Sequence, residues 1–229
     1  MPAGVLREKP VDMVLVSIQV GAARDYAPAE AATGLHRPWR SAILKTPVSG
    51  PVRLGPFGLE GDTQVDRRHH GGPHRALLAY SVENYARWHE DPGLPQFPYG
   101  AFGENLTVTG LDETSVCVGD IYRIGPVRVE VSQPRQPCAN LARRWQRPDL
   151  PERVRRTGRS GWYLRVLQPG MIEAGQPIER EAHPQPAWSI ARASEVMQAR
   201  LERHEEAAQL AALEALSPGW RTRLTRTGQ

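Results

Sequence analysis

The chain has 229 residues, of which 40% are hydrophobic and 24% charged, with a net charge of +4 and two cysteines. That length fits one large domain, or a domain with a small extension. Two cysteines exclude a disulfide scaffold and an iron–sulfur cluster, no apolar run nears the ~20 residues of a membrane helix, and no helix-turn-helix, zinc-finger or RNP pattern accompanies the basic pI, so neither a membrane nor a nucleic-acid partner is expected.

Taken in order, residues 1–10 read as disordered, without a secretory leader, so a cytoplasmic protein is expected. Val11 to Val20 is an apolar, β-branched run that predicts the first strand. Ala22 to Trp39 reads as a mobile loop, and residues 41–45 and 52–54 as short strands around a Pro/Gly turn. Gly58-Leu59-Glu60-Gly61-Asp62 is turn-rich, with glycines suited to positive φ. Lys45 is notable as one of two lysines among many arginines.

Arg67-Arg68-His69-His70-Gly71-Gly72-Pro73-His74-Arg75 follows. This histidine spacing matches neither HExxH nor a CxxC site, so a bound metal ion is not expected there. The favoured reading is a Gly71-Gly72 loop whose bare backbone approaches a ligand, faced by His70 and Arg75. Residues 76–80 predict a buried strand, with Ser81 capping a helix over 82–88. Residues 91–101 are proline-rich, and Gly103-Glu104-Asn105 leads into a strand to Val108, setting a carboxylate and an amide at its start.

Residues 118–124 and 127–132 predict a hairpin across Gly125-Pro126. The second strand runs into Ser132-Gln133-Pro134-Arg135-Gln136-Pro137-Cys138, where two prolines break the ladder. A helix is predicted behind Cys138, whose thiolate is favoured by the positive end of the helix dipole. Between Ile121 and Gln168 stand eleven arginines and three acids, a local net charge of +8. A soft sulfur ligand in electropositive surroundings suits an anionic cofactor or substrate. Cys117, in an apolar run, reads as a core residue. Further strands are expected at 161–167, 172 and 177–179. After Pro186 the pattern changes to three helices: one capped by Ser189 with Ile190, Ala193, Met197 and Leu201 on one face, one over 205–216, and one capped by Ser217-Pro218. Either the barrel or a second copy of the chain, in a homodimer, is expected to cover them.

Many short strands with few helices between them predict a mainly β fold, a mixed and largely antiparallel barrel-like sheet. The divisions are 1–40 (first strand and loop), 41–186 (barrel) and 187–229 (small three-helix domain).

Six motifs in order, Gly58 to Asp62, His70 to Pro73, Arg75 to Leu77, Gly103 to Leu106, Val118 to Asp120 and Gln133 to Cys138, resemble the MOSC family, named for the molybdenum-cofactor sulfurase C-terminal domain. The helical tail resembles that of its stand-alone bacterial YiiM-type members. The resemblance implies a barrel-like fold that binds the molybdenum cofactor and reduces N-hydroxylated compounds such as 6-hydroxylaminopurine to the amine. It makes Cys138 the molybdenum ligand. A thiolate is a suitable soft ligand beside the cofactor's dithiolene. Arg135, Arg75 and Lys45 are then candidates for the cofactor phosphate, with Gly71, Gly72 and Asn105 completing the cofactor contacts. His70 or Glu104 would supply a proton to the departing oxygen. No flavin, haem or pyridoxal phosphate site is expected, so electrons would come from a separate reductase. Two other functions stay open: a non-enzymatic carrier of the cofactor or its sulfur, and a metal-free cysteine hydrolase using Cys138 and His70.

Overall fold

The computed structural model describes residues 12–26, 38–65 and 71–226. Residues 1–10, much of the 22–39 loop, and His69 and His70 lie outside the described residues. The strands are β1 (Val14–Val20), β2 (Arg24–Tyr26), β3 (Trp39–Ser41), β4 (Thr46–Pro47), β5 (Val52–Gly55), β6 (Gly58–Leu59), β7 (Leu77–Ser81), β8 (Leu106–Thr109), β9 (Ile121–Ile124), β10 (Val127–Pro134), β11 (Trp162–Gln168), β12 (Gly170–Ile172) and β13 (Ile178–Ala182). The helices are α1 (Val82–His89), α2 (Ala139–Trp145), α3 (Leu150–Thr157), α4 (Ile190–Gln198), α5 (His204–Ala211) and α6 (Pro218–Thr225), plus a 3-10 turn at Pro73–Arg75.

Eight strands form one sheet in the order β13-β9-β10-β11-β7-β8-β1-β4. All its pairs are antiparallel except β7–β8, which run parallel. That pair needs a crossover, and α1 lies within it. The sheet curls into a half-barrel. Its distant strands meet where Leu15 N–H donates to Gln176 O (3.0 Å) and Ile178 N–H donates to Met13 O (2.8 Å). In β10, Val127, Val129 and Val131 are buried while Arg128 and Glu130 alternate outward, as period-2 patterning requires. The predicted 127–132 strand therefore holds and runs on to Pro134. The 41–45 strand does not form. The chain is in β3 only to Ser41 and joins no strand again until β4.

Apolar side chains of the sheet and of the C-terminal helices share one core, including Leu15, Val131, Trp162, Ile190, Met197, Leu210 and Trp220. The barrel side thus covers the inner face of the tail. Ser189 and Ser217 cap α4 and α6, accepting from Arg192 N–H and Trp220 N–H. Leu201 is 46% exposed, because α4 ends at Gln198 before its periodicity reaches that residue. A second cluster, with Tyr80, Tyr85, Trp88, Phe97, Phe102, Leu141 and Leu150, packs α1, α2 and α3 beside the sheet.

Candidate functional site

An open cleft, about 720 Å³ of empty space, lies where several chain segments enter or leave the sheet. The Pro134-Arg135 step carries the chain off β10, and Cys138 becomes the N-cap of the seven-residue helix α2. Arg75 enters β7, Asn105 enters β8, and Lys45 sits on the extended segment before β4. Arg75, Asn105, Lys45, Arg135 and Cys138 all line the cleft. The structure brings together residues separated by up to ninety-three positions in the sequence.

Lys45 is 8% exposed at its side chain and pairs with Asp62, itself 4% exposed. Burial pushes the lysine pKa down, and the Asp62 carboxylate opposes that shift. Asp62 also accepts from Gly21 N–H (2.8 Å) and from the Asn105 amide (2.9 Å). The Asn105 side-chain oxygen accepts Leu78 N–H (3.2 Å), and its amide donates to Gln19 O (3.3 Å). Asn105 therefore acts as a clamp between strands that holds Asp62, and Asp62 holds Lys45.

Arg135 is 4% exposed. Its Nη2 donates to Phe102 O (3.1 Å), while Nη1 is buried with no hydrogen-bond partner among the described residues. Its backbone N–H donates to Gly161 O (3.0 Å). Gly161 has φ +76°, and a Cβ there would stand 2.4 Å from Ala79 O, so only glycine fits. Its N–H donates to buried Glu113 (2.7 Å), whose pKa burial raises. Arg75 Nε donates to Gln133 Oε1 (3.2 Å), and the Ser217 hydroxyl donates to the same oxygen (2.5 Å). The helical tail is thereby tied to the cleft wall. Tyr163 on β11 also lines the cleft. Burial raises its pKa, offset by Arg135 and Arg75.

Three expectations change. Glu104 is fully buried and does not line the cleft. Its carboxylate accepts from the Tyr85 hydroxyl, Gly100 N–H, Phe102 N–H (3.1 Å) and the Thr107 hydroxyl (3.3 Å). It braces the 100–103 turn and is sealed from any proton acceptor in the cleft. Gly71 and Gly72 also stand off the cleft. Gly72, at φ +87°, borders a neighbouring depression and donates its N–H to Gln64 Oε1 (3.2 Å). The arginine-rich stretch does not converge on Cys138. Arg123 and Arg128 pair with Glu179 and Glu181 at the sheet edge, Arg165 with Glu130, and Arg153 with Asp91 and Asp149. Arg144 reaches the cleft wall, donating to Ile43 O (2.7 Å) and Gly100 O, and burial lowers its pKa. Sequence reading passed over Asp62, Gln133 and Tyr163. Asp62 read as part of a turn, Gln133 only as a step in the proline-broken run to Cys138, and Tyr163 as an ordinary strand position.

A curled mixed sheet carrying a helical tail, with a cysteine-bearing loop at the mouth of a basic cleft, defines the class of protein. A sequence model of the MOSC domain matches residues 66–179. The chain is 37% identical over 187 residues to the uncharacterized protein YflK of Bacillus subtilis, covering 79% of this chain and 81% of that protein. It is 41% identical over 163 residues to a protein of Gibberella moniliformis named reductase, covering 70% of this chain but 29% of that longer protein. The crystal structure of YiiM from Geobacillus stearothermophilus superposes with a TM-score of 0.76 at 40% identity, covering 93% of this chain and 97% of that one. The chain belongs to the MOSC domain family.

Proposed function

We propose that the protein is a molybdenum-cofactor oxidoreductase that reduces N-hydroxylated compounds such as 6-hydroxylaminopurine, with Cys138 as the metal ligand. The observation that carries the reading is the donor set of the cleft. A half-buried thiol lies beside two arginines and a buried lysine, and Arg135 Nη1 has its hydrogen-bonding capacity unspent. A buried guanidinium N–H without an acceptor is costly, and an anionic phosphate would relieve it. A thiolate and cations in one cleft are what a phosphate-bearing, sulfur-coordinated metal cofactor requires. The fungal relative named reductase supports the same class.

When bound, the cofactor supplies the two-electron chemistry. The chain's own residues would do the rest. Cys138 would anchor the metal, Arg135 and Arg75 the phosphate, and the Lys45–Asp62 pair would fix the charge of the opposite wall. Of the two proton donors suggested by the sequence, Glu104 is sealed by its donors, which leaves His70 for the departing oxygen. With two cysteines the chain holds no cluster of its own, so a separate reductase would deliver electrons.

The test is molybdenum content by mass spectrometry for wild type and Cys138→Ser purified from a cofactor-producing host, followed by turnover of 6-hydroxylaminopurine with a chemical reductant. Near-stoichiometric metal lost in the variant, with turnover only in the wild type, is expected. Metal without turnover would make the protein a carrier. Metal retained by Cys138→Ser would remove the thiolate from the site. Turnover by the loaded chain on NAD(P)H alone would eliminate the separate reductase.

A further inference from the structure

Away from the cleft, where β13 ends and the chain turns toward the tail, the side chains of Cys117, Asp120 and His183 converge. One ligand atom from each lies within 4.8 Å of the others. His183 Nδ1 is 2.7 Å from Asp120 Oδ1. The second carboxylate oxygen accepts Cys117 N–H (3.0 Å) and the Tyr122 hydroxyl (3.0 Å), which hold the carboxylate in orientation. The thiol points at Pro186 O (3.6 Å), on the segment that leads to α4, and not into a nucleophile–base pair with the imidazole. Among the described residues it is the one such cluster.

We propose that Cys117, Asp120 and His183 supply three protein ligands of a site for a thiophilic divalent cation, with zinc as the natural occupant and water as the fourth ligand. Thiolate, imidazole and carboxylate are zinc's three protein donors, and zinc–ligand bonds of about 2.0–2.3 Å set tetrahedral donor separations of about 3.3–3.6 Å. The cluster reaches that geometry if Oδ1 and Nδ1 part by roughly half an ångström and the thiol swings in from Pro186, side-chain movements alone. On binding, the sulfur–hydrogen bond is lost and its proton goes to solvent. Thiolate and carboxylate then balance the ion's charge. The hydrogen bonds from Cys117 N–H and Tyr122 to the other oxygen are the outer partners that such ligands need. Arg180 opposes the ion. Its Nε stands 3.9 Å from Asp120 Oδ2, with the guanidinium over the Tyr122 ring. Occupancy would tie Asp120, before β9, to His183, just beyond β13, through the cysteine that bridges Ser189, the cap of α4.

The test titrates metal-free full-length protein with Co²⁺ as a spectroscopic stand-in, then displaces it with Zn²⁺. All measurements use a Cys138→Ser background, so the cleft thiol cannot contribute. A near-ultraviolet thiolate-to-cobalt band is expected that zinc abolishes and that Cys117→Ser removes. His183→Gln, at an exposed position, should weaken zinc at least about tenfold. Arg180→Gln should tighten it. No band in the Cys138→Ser protein, or zinc affinity unmoved by His183→Gln, would overturn the site.

Discussion

The two cysteines mark two ends of the molecule with opposite construction. Around Cys117 every neighbour is committed. Asp120 accepts from a backbone amide and a phenol and faces an imidazole, and the adjoining backbone pairs with Trp188 and Ile190 of the apolar core. Around Cys138 the polar groups are buried but not all spent. Arg135 Nη1 has no described partner, and Lys45 sits in a low-dielectric wall with its pKa pushed down. A folded chain gains nothing from an unsatisfied guanidinium N–H, so Arg135 gives up stability for binding. Gln133 joins the two ends, accepting from Arg75 on one side and from Ser217 of the tail on the other.

Substitution on the tail side should therefore cost the most stability. Trp220 is 2% exposed within the shared core. Trp220→Ala should lose about 3–5 kcal/mol in urea unfolding, whereas Leu201→Ala, on the solvent side, should stay within about 0.5 kcal/mol. A two-step transition in Trp220→Ala would break the comparison, because it would mean the helices fold apart from the sheet.

This packing was only partly legible in the sequence. β10, the hairpin to β9 and the two serine-capped helices follow from local rules, namely alternation, turn residues and caps. The division at residue 187 came from a change of periodicity, which says nothing about what the apolar face of α4 rests on. The six short motifs single out Cys138, Arg135 and Arg75, and all three line one cleft. They could not separate Glu104 from its neighbours. A carboxylate before a strand looks the same whether it faces a ligand or the Tyr85 hydroxyl. Likewise a linear run of arginines looks like a basic patch until Arg165, Arg153, Arg123 and Arg128 are seen paired with Glu130, Asp149, Glu179 and Glu181.

Glu104→Gln separates the bracing role from the catalytic one. Its amide would set an N–H against the backbone donors of the 100–103 turn, a loss of about 1–3 kcal/mol. Molybdenum content and turnover per folded molecule should hold. Turnover that falls while stability holds would return Glu104 to the chemistry. Arg135→Met should behave the other way. One carbonyl hydrogen bond is lost and one unpaired buried charge is relieved. Stability should stay within about 1 kcal/mol of wild type, while cofactor retention falls. A large loss of stability would mean that the guanidinium holds the fold and not a ligand.

The smallest effect is a dependence on pH at Lys45. Burial lowers its pKa in the folded chain below the ordinary lysine value, with the Asp62 partner only partly restoring it. Between the lowered and the ordinary value the unfolded chain binds more protons, so this group makes stability rise as pH rises through that window. Lys45→Met removes the group and its slope, while the buried tyrosines titrate in both proteins and cancel. The stability of wild type relative to Lys45→Met should therefore grow as pH rises toward the ordinary lysine value of about 10.4, read from urea midpoints at fixed salt. A difference that stays flat would give the ammonium water-like surroundings, and the contrast between a strained cleft and a satisfied junction would lose its lysine.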